Sequence, residues 1–107
     1  MDKEYPEIGT PLYLHQQTGN SWVDMCKYPY TVISIESGKV VVQEAECIFN
    51  GPRYYDTLAD DIIPNPRGDI LKLNWSSKYG RWQVDRYKTG YPQIAVFGSY
   101  QFQPYLN

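Results

Sequence analysis

A chain of 107 residues has room for one domain and a modest core. Its 42% hydrophobic and 16% aromatic content, with Tyr at 11 positions, argues against wholesale disorder and favours strands and half-wet surfaces, because Tyr joins an apolar body to a polar tip. A net charge of −2 argues against a domain that holds DNA mainly by its phosphates; with no apolar signal region in MDKEYPEIGTP and no run near the ~20 residues of a membrane span, a cytoplasmic protein without membrane association is expected.

Residues 1–8 are polar, contain Pro6 and read as a loose lead-in. Gly9-Thr10-Pro11 then opens a short strand, Leu12 to His15, with Leu12 and Leu14 on one face. Gln16 to Asn20 is polar and ends on the turn signal Thr18-Gly19-Asn20. Trp22, Val23, Met25, Cys26 and Tyr28 make an apolar-rich arm closed by Pro29. No helical period develops there, so it reads as a long loop or an irregular strand.

The strongest fold signal is Thr31–Glu46, TVISIESGKVVVQEAE. Two Val- and Ile-rich runs flank Ser37-Gly38, and Gly accepts the positive φ of a tight hairpin. Ile33 and Ile35 share a face; Val40 and Val42 share one face of the second run, and Val41, Gln43 and Ala45 the other. The second strand continues through Cys47 and Phe49 until Asn50-Gly51-Pro52 stops it. Residues 53–69 lack strand patterning, and Pro64, Pro66 and Gly68 limit any helix there to one turn. A second hairpin follows: Leu71, Leu73 and Trp75 alternate with Ile70, Lys72 and Asn74, Ser76 to Gly80 turns, and Trp82 and Val84 share a face on the return. Ile94 to Phe97 is a last strand, and Tyr100 to Tyr105 alternates aromatic with polar as an edge segment. Five to six short antiparallel strands punctuated by Gly and Pro predict a mainly β domain over residues 1–107. The expected fold is a small SH3-like barrel with an irregular insert around 50–69, with an OB-like barrel as the alternative.

No catalytic residue, cofactor site or metal site is expected. His15 is the only histidine, Cys26 and Cys47 lack metal-ligand spacing, and neither a Walker pattern nor GxGxxG occurs. Two reduced, partly buried thiols are the reading for Cys26 and Cys47; a Cys26–His15 nucleophile pair has no specific support. Asp56, Asp60 and Asp61 read as a solvated acidic loop rather than a cation site. The one suggestive constellation is basic and aromatic: Arg53, Tyr54 and Tyr55 at the start of the insert, and Lys78, Tyr79, Arg81 and Arg86 in and after the second hairpin. Rings stack on bases while cations meet phosphate. Strand alternation alone also places a charged residue beside each inward ring.

Three stretches carry a resemblance: Gly38 to Gln43, Asn65 to Asp69 running on through Ser76 to Trp82, and Phe97 to Leu106. A GK-x-(apolar)-VQ strand, an NP-x-G turn, a G-R-W hairpin and a Tyr- and Phe-rich tail, in that order, resemble small open reading frames of bacteriophages and prophages. The resemblance spans residues 9–107 and implies a phage or prophage origin; it carries over no active site. The acidic balance and the Asp-rich insert depart from that group. The resulting expectation is a non-enzymatic accessory protein that binds a host or phage protein. Binding of single-stranded nucleic acid or a nucleotide through the Tyr and Arg face is the alternative.

Overall fold

Ser37 and Gly38 both take positive φ, 50° and 78°, as a two-residue type I′ loop requires. A computed structural model describes residues 3–16, 27–52, 61–84 and 92–97. In it this turn joins β2 (Lys27–Glu36) to β3 (Lys39–Ile48), with Glu36 opposite Lys39 and Ile35 opposite Val40. The register slips between Val32 and Ser34. This bulge changes the phase of the strand: Tyr30 and Val32 enter the core, and beyond it Ile35 falls opposite the buried Val40, yet next to the hairpin tip it stays exposed. The simple alternation expected of Ile33 and Ile35 therefore does not define the buried face. In β3, Val41 is buried together with Val40 and Val42, so both faces of the strand are covered there.

The remaining strands are β1 (Pro11–Gln16), β4 (Asp61–Pro64), β5 (Ile70–Ser76), β6 (Arg81–Val84) and β7 (Gln93–Phe97), with no helix among the described residues. Neighbours run β2-β1-β7-β6-β5-β3, and β3 returns to β2. The result is a closed six-stranded antiparallel barrel, with β4 as one outer strand on the far half of β3. A small antiparallel β-barrel, as read from the sequence, is the fold observed, consistent with the SH3-like and the OB-like reading alike. Barrel strands pair with their neighbours in chain order, and β1 and β7 close the ring, Leu12 opposite Phe97 and Leu14 opposite Ala95. No helix among the described residues is long and apolar enough to cross a membrane.

Two segments differ from expectation. Asp61–Pro64, inside the stretch read as irregular, is strand β4, with Cys47 opposite Ile62. Pro29, read as the end of an arm, lies within β2 opposite Tyr13. The amide of Val32 donates to the Thr10 carbonyl on the β1 side, at 2.9 Å. Alternation then turns the Pro29 nitrogen toward the opposite edge, where pairing with β3 has already ended at Tyr30 and Glu44. Its missing N–H breaks no ladder bond.

The interior is filled by Leu12, Leu14, Tyr30, Val32, Val40, Val42, Leu73, Trp82, Val84 and Ala95, with Leu71, Trp75 and Phe97 packed against them. Gln16 and Gln93, opposite one another in the β1–β7 ladder, are buried on the same inward-facing rows. Outside the barrel, the Asn65–Gly68 turn folds onto β3. The Asn65 Oδ1 accepts the Arg67 amide at 3.0 Å, and the Gln43 Nε2 donates to the carbonyls of Pro66 and Gly68 at 3.2 and 3.1 Å.

Candidate functional site

The β5–β6 turn is built by Ser76 and Gly80. The Ser76 carbonyl accepts the Gly80 amide at 2.7 Å, the Ser76 Oγ accepts the Tyr79 amide at 3.3 Å, and Gly80 takes a φ of 63° that a side chain would resist. The tip holds Tyr79 out of the barrel, 54% exposed. The Arg81 guanidinium lies 4.4 Å from the Tyr79 ring centroid and the Lys78 Nζ 5.2 Å from it. Arg81 is fixed in turn by donating from Nε to the Gln83 Oε1 at 2.9 Å. The structure thus brings together Lys78, Tyr79 and Arg81. Arg53, Tyr54, Tyr55 and Arg86 lie outside the described residues.

Next to this tip is a second, more enclosed arrangement. Trp75 and Trp82 face one another across the β5–β6 ladder, and their rings meet edge to face, centroids 5.4 Å apart at 65°, a favourable quadrupolar geometry. The N-terminal segment crosses this pair. The Trp82 Nε1–H donates to the Glu4 carbonyl at 2.8 Å, and the Tyr5 ring packs on Trp82 at 5.5 Å and 49°. The Lys3 Nζ sits 5.3 Å from the Tyr5 ring and 5.2 Å from that of Trp82. A groove of about 620 Å³ runs alongside, with Glu4, Tyr5 and Pro6 on one wall and Trp75, Arg81, Trp82 and Phe97 among the residues of the other.

Reading residues 1–8 as a lead-in misses Lys3, Tyr5 and Pro6. The only trace they leave in the sequence is an aromatic–proline pair in a polar stretch, and nothing in that pair points to Trp82, which lies 78 positions beyond Glu4.

The remaining candidates stay apart from this site. His15 is half-buried in β1, 5.8 Å from the Tyr13 ring, and its Nδ1 lies 3.2 Å from the Gln16 carbonyl oxygen. Burial raises the Tyr13 phenol above its ordinary value of 10.0. Cys47 is half-buried in β3, while Cys26, Asp56 and Asp60 lie outside the described residues. Asp61 opens β4 and its Oδ1 accepts the amide of Ile62 at 2.8 Å. Among the described residues no group of three or more His, Cys, Asp or Glu is placed to hold a metal ion.

The two arrangements suit different ligands. Trp82 is 3% exposed, its ring covered by Tyr5. What it presents is an N–H donor engaged with a peptide carbonyl, in a groove walled by rings and proline. Tyr79 is the open ring, and cations already lie over it. No protein-family model, curated protein or solved structure matches the chain.

Proposed function

We propose that this chain is a non-enzymatic protein-binding module, an accessory protein of the phage or prophage type that works in the bacterial cytoplasm by docking on a host or phage protein. The observation that carries this reading is the hydrogen bond from the Trp82 indole to the Glu4 carbonyl at 2.8 Å. A main-chain acceptor of an extended segment is met by a buried aromatic donor, and aromatic residues with Arg are favoured anchors of protein interfaces. The charge at the groove is mixed, with Glu4 and Arg81 in its lining and Lys3 over Trp82, which suits a polypeptide better than a polyanion.

The experiment is a tagged pulldown from bacterial lysate, with and without nuclease, read by mass spectrometry. A stoichiometric protein retained after nuclease treatment is the expected result; loss of every partner on nuclease treatment would refute the reading. The exposed Tyr79 ring between Lys78 and Arg81 favours the second reading, a single-stranded nucleic acid or nucleotide. That reading predicts quenching of tryptophan fluorescence by an oligonucleotide, weakening as salt rises. A flat titration in low salt excludes it.

A further inference from the structure

We propose that the face of Trp82 covered by Lys3–Pro6 is a docking site for an extended segment of a partner protein in which an aromatic residue is followed by proline, and that this strap holds the place in its absence. The inference rests on the protein-binding reading and gives it a ligand chemistry.

The occupant shows what the site accepts. Glu4 supplies a main-chain carbonyl to the Trp82 indole, Tyr5 a ring, and Pro6 a wall of the groove. A residue before proline is confined to extended conformations, and proline fixes its own φ. Such a segment therefore loses little freedom on docking. Pro6 also brings no backbone N–H that would need a partner in the groove.

The same segment is held loosely enough to leave. Tyr5 is 48% exposed and Ile8 67%; Lys3, Glu4 and Glu7 are exposed as well, and residues 3–7 belong to no strand. Apart from the contacts of Lys3, Glu4 and Tyr5 with Trp82, backbone pairing with the barrel starts at Gly9, whose amide donates to the Val32 carbonyl at 2.8 Å. Gly9 has a φ of 91° and a free surround where a Cβ would sit, so it is a natural pivot between the strap and β1. The groove alongside, about 620 Å³, is walled by Glu4, Tyr5 and Pro6, so lifting the strap joins its space to the uncovered face of Trp82. An occupant from outside needs three things: a carbonyl for the indole, a ring for Trp82, and a proline in place of Pro6.

The test uses the full chain carrying Lys3→Ala, Tyr5→Ala and Pro6→Ala, which weakens the strap without touching the barrel core. The probe is the capped hexapeptide KEYPEI, the sequence of residues 3–8, titrated by calorimetry and by tryptophan fluorescence. The peptide should bind the triple variant. It should bind the unaltered chain roughly tenfold or more weakly, because a tethered competitor acts at high effective concentration. Replacing its Tyr by Ala should weaken binding roughly tenfold, and so should Trp82→Phe in the triple-variant background, which keeps a ring and removes the donor. No binding to a triple variant that melts cooperatively would overturn the proposal, as would equal affinity for both chains. If the triple variant does not melt cooperatively, the unaltered chain is titrated to peptide excess; no fluorescence change, or the same change in Trp82→Phe, overturns the proposal. A dimer of the triple variant on size exclusion whose formation blocks peptide binding would assign the groove to a second copy instead. A lysate partner that KEYPEI fails to displace would leave protein binding standing and remove this site from it; peptide binding with no lysate partner would do the reverse.

Discussion

A Cβ placed on Gly68 would lie 2.6 Å from both the Cβ and the carbonyl oxygen of Glu44. The turn is pressed this closely because Gln43 holds it through two carbonyls and the Glu44 amide donates to the Asp69 carbonyl at 2.9 Å. One of the clashing atoms is backbone, so the contact cannot be relieved by a rotamer change. Gly68→Ala should destabilise the fold by about 1–3 kcal/mol, seen as a lower denaturant midpoint at unchanged slope. A midpoint equal to that of the unaltered chain would mean the turn does not sit on β3 in solution.

Gln93 is 0% exposed, and neither its Oε1 nor its Nε2 finds a hydrogen-bond partner among the described residues. An amide buried without partners costs about 1–3 kcal/mol. Methionine has nearly the same shape and no such demand, so Gln93→Met should raise the melting temperature. A fall would show that the amide is hydrogen-bonded in the folded protein.

Tyr13 gives a prediction about alkaline pH. Burial raises its phenol above the ordinary 10.0, because the charged phenolate is disfavoured in the fold. The sign follows from linkage. The contribution is present in full below the unfolded value and is lost as pH rises from there through the folded value. Stability measured by urea unfolding should therefore decline above about pH 10, and Tyr13→Phe should make that decline shallower. Identical slopes for the two chains would assign the loss to other groups.

The sequence makes legible those elements whose signal is local. Ser37-Gly38 between Val- and Ile-rich runs, and Leu71, Leu73 and Trp75 opposite Trp82 and Val84, combine a period of two with a turn residue, and both hairpins form. β4 escapes because Asp-Ile-Ile-Pro is too short to show a period and runs into Pro64 and Pro66; its strand character comes from β3 beside it. Pro29 misleads because whether a missing N–H matters depends on which edge the nitrogen faces, a property of the sheet rather than of the residue. The site divides in the same way. Lys78, Tyr79 and Arg81 are neighbours in sequence and remain neighbours in space. Lys3, Tyr5 and Trp82 meet only because the lead-in crosses the closed barrel, and no periodicity encodes a contact made by a segment without regular structure.

The pairing of β1 with β7 also bears on how the chain reaches its fold. The two hairpins close through short loops and can form early. The seam joining Leu12 to Phe97 requires nearly the whole described chain to be gathered first, and loop closure of that length is entropically unfavourable until other contacts have restricted the chain. The ring should therefore be the last thing to close. In a refolding time course with pulsed hydrogen exchange, amides of Val41 and Gln43, which face β2, should gain protection before those of Tyr13 and Val96 on the β1–β7 seam; simultaneous protection would mean that the barrel condenses in a single step.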